Sequence, residues 1–185
     1  MISTKFISVI VVNYNSGNKL QEAIQSIFDT FSNVEGEIII VDNASSDNSL
    51  AFVKSTFSGR ENLVIQENTQ NLGFASACNI GAKKASGNYL LFLNPDCLLQ
   101  KNTLIKLIEC LDEQADIGMV GGFLVNPDGT EQVGGRRLIP TPFRTLVRIL
   151  KLSPLASRYP RLFVDFNLHK QPLPKEAIEV EGLIL

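Results

Sequence analysis

Three apolar runs without polar alternation constrain this chain more than any other feature: residues 6–12 (Phe-Ile-Ser-Val-Ile-Val-Val), 37–41 (Glu-Ile-Ile-Ile-Val) and 89–93 (Tyr-Leu-Leu-Phe-Leu). A strand with one face in water alternates apolar and polar residues, whereas a parallel strand covered on both faces does not. These runs are predicted as buried parallel strands, with a shorter one at 62–66. Between them apolar residues recur at helical spacing. Leu20, Ala23, Ile24, Ile27, Phe28 and Phe31 predict a helix over 18–31. Leu50, Phe52, Val53 and Phe57 predict a second, with Asp47 as its N-cap. Small residues from Ala75 to Ala82 predict a third over 74–84, packed close to the sheet and ended by Gly87. Leu104, Leu107, Ile108 and Leu111 predict a fourth over 103–112. Strands that alternate with helices across short loops specify an α/β fold, a mostly parallel Rossmann-like sheet flanked by helices.

Each predicted strand ends in polar residues, and the C-terminal edge of an open α/β sheet is where ligands bind. Residues 13–17 (Asn-Tyr-Asn-Ser-Gly), 42–47 (Asp-Asn-Ala-Ser-Ser-Asp), 68–74 and 94–96 (Asn-Pro-Asp) all belong to that edge. The P-loop and dinucleotide-binding glycine patterns are both absent, so neither a P-loop NTPase nor a nicotinamide dehydrogenase is supported. A carboxylate such as Asp42 can accept the N3–H of a uracil or thymine ring. Asp96 can hold Mg2+ or Mn2+, which bind through one or two carboxylates plus substrate phosphates. Each residue also has a plain reading: Asp96 as a helix cap, Asp42 as a turn former, Asn71 and Gly73 as loop punctuation, and Asn79 as a capping or packing residue. Asp47, Asp112 and Asp116 read as structural, and His169 as a surface histidine.

At 185 residues and 44% hydrophobic composition the chain has enough apolar residues for one sizeable core. No apolar run approaches the ~20 residues of a membrane span, and the expected location is cytoplasmic. Cys78, Cys97 and Cys110 have no metal-ligand spacing and are expected as reduced thiols. The formal charge of -2 conceals an asymmetry. Residues 1–131 hold 8 bases against 15 acids, whereas 132–164 hold seven bases and no acid. Those bases alternate with apolar residues, and 141–152 is predicted as a short basic amphipathic helix. The segment reads either as a solvated face or as a peripheral contact, through 136–161, with an anionic membrane at its inner face. Upstream of it, 119–125 reads as a strand, and Asn126-Pro127-Asp128-Gly129 as a turn into a return strand at 131–133. A hairpin is thus expected after the parallel part.

Four blocks in order carry a resemblance: Val11-Val12-Asn13-Tyr14-Asn15, then Ile40-Val41-Asp42-Asn43-Ala44-Ser45-Ser46-Asp47, then Asn71-Leu72-Gly73-Phe74 continuing through Asn79 to Gly81, then Leu93-Asn94-Pro95-Asp96. In this order they resemble glycosyltransferase family 2 with its GT-A fold, and within it the rhamnosyltransferase-like members. The resemblance implies one GT-A domain over 1–185, with a donor-binding part at 1–116 and an incomplete acceptor-side part at 117–185. It implies inverting transfer of a sugar from UDP or dTDP, dTDP-rhamnose among the donors, to a glycan or lipid-linked hydroxyl. Nucleic acid is not an expected partner. Asn13, Asn15, Asp42, Asn71, Gly73, Asn79, Asn94 and Asp96 are the implied nucleotide-sugar residues. By the same resemblance Asp96 is the implied metal ligand for Mg2+ or Mn2+, with Asn94 in place of the first acid of the family's Asp-X-Asp motif. The general base is expected beyond Leu185, with Glu179 and Glu181 read as polar positions of a strand. A sugar-nucleotide-binding domain without turnover is the alternative, and a nucleotidyltransferase is a more distant third.

Overall fold

The structure, a computed structural model, describes residues 5–113, 115–133, 135–136, 141–152, 154–155, 158–159 and 183–184. Strand β1 (Phe6–Asn13) is central in a four-stranded parallel sheet of order β3-β2-β1-β4, with β2 (Glu35–Asp42), β3 (Leu63–Glu67) and β4 (Tyr89–Leu93). The register sets Val11 beside Leu93 and Asn13 beside Asp42, so these strands end level with one another. The chain steps outward from β1 to β3, then returns across the sheet to place β4 on the other side of β1. Right-handed crossovers therefore put helices α1 (Asn18–Thr30) and α2 (Ser49–Thr56) on one face and α3 (Phe74–Lys84) on the other. The reversal between β1 and β4 is the topological switch point of the sheet.

Alternation divides the strand residues between the two faces. Ile10, Val12, Ile39 and Val41 pack with Ala77 under α3. Val9, Val11, Ile38 and Ile40 point the other way, all buried, as are Leu20, Ala23, Ile24 and Ile27 of α1. Each fully buried Leu or Ile contributes roughly 1.5–3 kcal/mol. The small residues of α3 have a direct cause: a Cβ on Gly81 would lie 2.5 Å from Cγ2 of Ile10. Helix α4 (Thr103–Glu113) buries Leu104, Leu107 and Ile108, and its Asp112 pairs with Lys5 at 2.7 Å.

Several expectations are corrected. β4 is not covered on both faces, because Leu90 and Phe92 are 46% and 48% exposed. They share the face on which α3 packs against β1 and β2, and α3 does not extend over β4. Gly87 does not end α3, whose C-cap is Ala85. It allows a close approach instead, since a Cβ there would lie 2.6 Å from the Ser8 nitrogen. Asn48, not Asp47, occupies the N-cap position of α2, although the Asp47 carboxylate accepts from the Ser49 amide at 3.1 Å.

The chain forms two compact units, Met1–Gly122 with Val180–Leu185, and Phe123–Glu179. In the second, the strand predicted over 119–125 shrinks to β5 (Leu124–Val125). Of the return strand only Glu131 bridges, to Val125, because a strand extends only as far as it finds a ladder partner. The predicted turn is present: the Asn126 amide donates to Thr130 O at 2.8 Å, and Gly129 takes φ +82°. Arg136 is held by Glu131 through Nε–Oε1 at 2.7 Å and Nη2–Oε2 at 2.8 Å. One of the seven bases of 132–164 is thus paired with an acid that lies just before the segment. Helix α5 (Pro142–Ile149) is shorter than the predicted 141–152. Strand β6 (Leu183–Ile184) follows. Arg137, Arg161, His169, Glu179 and Glu181 lie outside the described residues. No helix among the described residues is long and apolar enough to cross a membrane.

Candidate functional site

β1 and β2 run side by side, and their last residues meet as side chains. Asn13, fully buried, donates through Nδ2 to Asp42 Oδ1 at 2.7 Å, with Ser49 Oγ at 2.8 Å and Ser45 Oγ at 3.1 Å also in range. An amide nitrogen carries two hydrogens, so these three acceptors share them. Asp42 also accepts from Ser45 Oγ at 2.7 Å and, through Oδ2, from the Ser45 amide at 3.0 Å. One lone pair on Oδ2 is left over. Among the described residues Asn13 Oδ1 is buried without a hydrogen-bond partner, an acceptor that costs about 1–3 kcal/mol while unpaired.

The same edge is tied further out. Asn15, at φ +53°, accepts through Oδ1 from the Ser46 amide at 2.8 Å and the Asp47 amide at 3.3 Å. The Asp47 carboxylate accepts from Ser49 Oγ and from the Gly17 amide at 2.9 Å. The Ser49 hydroxyl holds it below the ordinary carboxylate range against partial burial, and the Gly17 amide adds to that. Ala44 sits at φ +60°, a left-handed conformation that costs an L-residue about 1–2 kcal/mol. Strain of this kind gathers at functional sites when the surroundings enforce it.

Asn43 extends the tie to the next loop. Its side chain donates to Gly73 O at 3.3 Å and accepts from Asn68 Nδ2 at 2.9 Å. Asn71 Oδ1 accepts from the Gly73 amide at 2.9 Å, and Gly73, at φ +80°, caps α3. Asn71 thus shapes its own turn, while Asn79 lies exposed on α3. Sequence reasoning had passed over Asn43, Ser45, Ser49 and Asn68. The signal for the two serines was their spacing of three and seven residues from Asp42. For Asn43 and Asn68 no local signal exists, because the contact joins residues 25 apart in the chain.

The loop after β4 differs. Cys97 and Leu99 are buried anchors, the Cys97 amide closes a turn onto Asn94 O at 3.1 Å, and the Leu99 amide donates to Ser26 Oγ of α1 at 3.0 Å. Burial, and then the neighbouring Asp96 charge, push the Cys97 thiol up to about 11, which keeps it protonated. Asn94 and Asp96 are exposed, and the Asp96 carboxylate caps no helix. Among the described residues it accepts no hydrogen bond, and no group of three or more His, Cys, Asp or Glu gathers around a point. One open carboxylate, with the Asn94 amide two residues before it in the chain, offers hard oxygen donors. It fits Mg2+ or Mn2+ only as part of a shell completed by ligand phosphates and water.

A family model described as "Glycosyl transferase family 2" matches residues 8–166. The poly(ribitol-phosphate) beta-N-acetylglucosaminyltransferase TarS of Staphylococcus aureus is 32% identical over 178 residues, 94% of this chain and 30% of that one. The minor teichoic acid biosynthesis protein GgaB of Bacillus subtilis is 36% identical over 109 residues, 57% of this chain and 12% of that one. The chain therefore spans a third or less of the length of either relative. A crystal structure of S. aureus TarS 1–349 in complex with UDP-GlcNAc superposes with a TM-score of 0.54 at 27% identity, over 74% of this chain and 38% of that one. The loops tied together at the sheet edge all fall within the matched residues, and on that match the chain belongs to glycosyltransferase family 2, on a GT-A fold.

Proposed function

We propose that this chain binds a nucleotide-diphosphate sugar at the β1–β4 strand ends and belongs to an inverting glycosyltransferase. The observation that carries the reading is the switch-point edge itself, with a buried Asn13–Asp42 pair on one side and the open Asp96 carboxylate on the other. A pyrimidine donor, UDP- or dTDP-linked, fits the remaining Oδ2 lone pair of Asp42, which accepts a ring N3–H. Rhamnose is one candidate sugar. Asn15, Asn71, Gly73 and Asn79 line the loops and the helix beyond the base, and Asn94 stands with Asp96 on the diphosphate side. Glycosyltransferases of the GT-A fold generally use a divalent cation; Asp96 would hold Mg2+ or Mn2+, which would supply positive charge against that of the departing diphosphate.

In the transfer, an acceptor hydroxyl oxygen bonds to the anomeric carbon from the face opposite the diphosphate. The carbon–oxygen bond to the diphosphate breaks, and the hydroxyl proton passes to a general base. Asp42 and Asp47 are committed to the loops and Glu67 pairs with Lys54 at 2.6 Å, so we place the base outside the described residues. The acceptor is a glycan or lipid-linked hydroxyl. A binding domain without turnover is the second reading, favoured because no described carboxylate at this edge is left for the base.

Titration calorimetry with UDP-, dTDP- and GDP-sugars, with Mn2+ and then with EDTA, tests the site. Pyrimidine donors should bind in both conditions and more tightly with metal, and Asp96→Ala should remove only the metal-dependent part. Equal metal dependence in wild type and Asp96→Ala would overturn the assignment of Asp96. Release of nucleoside diphosphate in the presence of an acceptor separates transfer from binding alone.

A further inference from the structure

Helix α5 is sharply bounded. Thr141 Oγ1 accepts from the Arg144 amide at 3.3 Å with Pro142 in the first turn. At the other end the Leu152 amide bonds Val147 O at 2.9 Å and the Lys151 amide bonds Arg148 O at 3.0 Å. Lys151 takes φ +53° in the position a glycine usually fills.

The faces of α5 are arranged in reverse of a helix that packs on a core. Val147 is buried and seats the helix, yet Phe143, Leu146 and Leu150 are half exposed and Ile149 is 71% exposed. At 100° per residue, residues 143, 146 and 149 share one arc, with the C-cap residue Leu150 beside them, and Arg144 and Arg148 fall on the opposite side. Lys151 and Arg158 are both exposed, and residues 132–164 contain no acid.

We infer that α5 is a membrane-surface helix that lies in the headgroup region of an anionic bilayer, its four apolar side chains among the acyl chains and the exposed bases Lys151 and Arg158 among the phosphates. A short helix with an apolar arc beside basic residues has the composition of an interfacial anchor, and each base near an anionic surface adds attraction that salt screens. A soluble polyanion would satisfy the bases too, but it offers nothing to Phe143, Leu146, Ile149 and Leu150. The inference goes beyond the donor-site reading and does not depend on it.

The chain has no tryptophan, so Ile149→Trp supplies a single reporter. Its emission should shift to the blue with vesicles of phosphatidylglycerol and phosphatidylcholine, and less with phosphatidylcholine alone. In flotation with the anionic vesicles, Leu146→Asp/Ile149→Asp should lower the bound fraction about tenfold or more. Lys151→Glu/Arg158→Glu should lower it several-fold at low salt and little at high salt. Circular dichroism and pyrimidine-donor binding should match wild type in every variant, which keeps a failure here distinct from a failure at the donor site. Absence of flotation, flotation that survives the double aspartate variant, or binding to soluble polyphosphate with no blue shift would each overturn the inference. So would a dimer in light scattering that the double aspartate variant makes monomeric while no variant floats.

Discussion

The loops that follow β1, β2 and β3 are bound to one another by side chains, whereas the loop that follows β4 is bound mainly to itself. In the first group Asn13, Asn15, Asp42, Asn43 and Asp47 each bridge segments about 30 residues apart. In the second, Cys97 and Leu99 are buried anchors, and the Asp96 carboxylate is exposed and accepts no hydrogen bond among the described residues. On the proposed function this division is useful. The side that reads a flat base is shaped before the ligand arrives, and the side that meets a charged diphosphate keeps its carboxylate available. A residue in the braced region serves folding and binding together, while one in the open loop serves binding alone.

The largest effect should come from breaking the brace. Asp42→Ala removes the acceptor shared by Asn13 Nδ2, the Ser45 hydroxyl and the Ser45 amide and should lower unfolding stability in urea by about 2–3 kcal/mol, the cost of unmade buried hydrogen bonds. Asp96→Ala should stay within about 0.5 kcal/mol of wild type. Similar losses in both variants would erase the distinction between the two regions. A related contrast lies on the α3 face of the sheet. Gly81→Ala forces a methyl against Ile10 and should cost about 1–3 kcal/mol by overpacking. Phe92→Thr, half exposed on the same face, should cost under about 1 kcal/mol, and denaturation midpoints of the two variants give the comparison directly.

Ala44 sharpens the picture with a smaller effect. Replacing it with glycine relieves about 1–2 kcal/mol of left-handed strain and returns roughly 0.5–1 kcal/mol to the unfolded chain as entropy. Ala44→Gly should therefore raise the melting temperature slightly, with the Asn13–Asp42 geometry and donor affinity unchanged. A fall in melting temperature would show that the strain is not borne at Ala44.

The smallest effect is in pH. Burial pushes the Glu37 carboxyl up, but the Ser86 amide at 2.7 Å and the hydroxyls of Ser8 and Ser86 outweigh it and hold the group below its ordinary 4.5. A carboxyl depressed in the folded state contributes stability that is fully present above its unfolded pKa and is lost as pH falls through the folded value. The stability difference between wild type and Glu37→Gln should thus be constant from pH 7 to about 5. It should shrink below that, and a difference that grew toward acid would contradict the assignment.

Sequence alone determined the alternation of strands and helices, the parallel sheet and the edge on which Asn13, Asp42 and Asp96 emerge. Uninterrupted apolar runs and helical spacing are local signals, and short loops leave the chain few ways to connect them. The four-block order placed the chain in its family for the same reason, since each block is a short contiguous stretch. Only the tertiary structure decided that β4 is half uncovered, because coverage depends on how far α3 reaches over the sheet. Nor does the sequence state that Gly87 accommodates Ser8, that Asn43 joins two loops, or that Asp42 spends most of its acceptors on Asn13 and Ser45. Apart from the local Asp42–Ser45 bond, those contacts join residues from 25 to 79 positions apart. The apolar side of α5 divides in the same way: its periodicity was legible in the sequence, but only packing could show that Val147 faces inward while Ile149 remains in solvent.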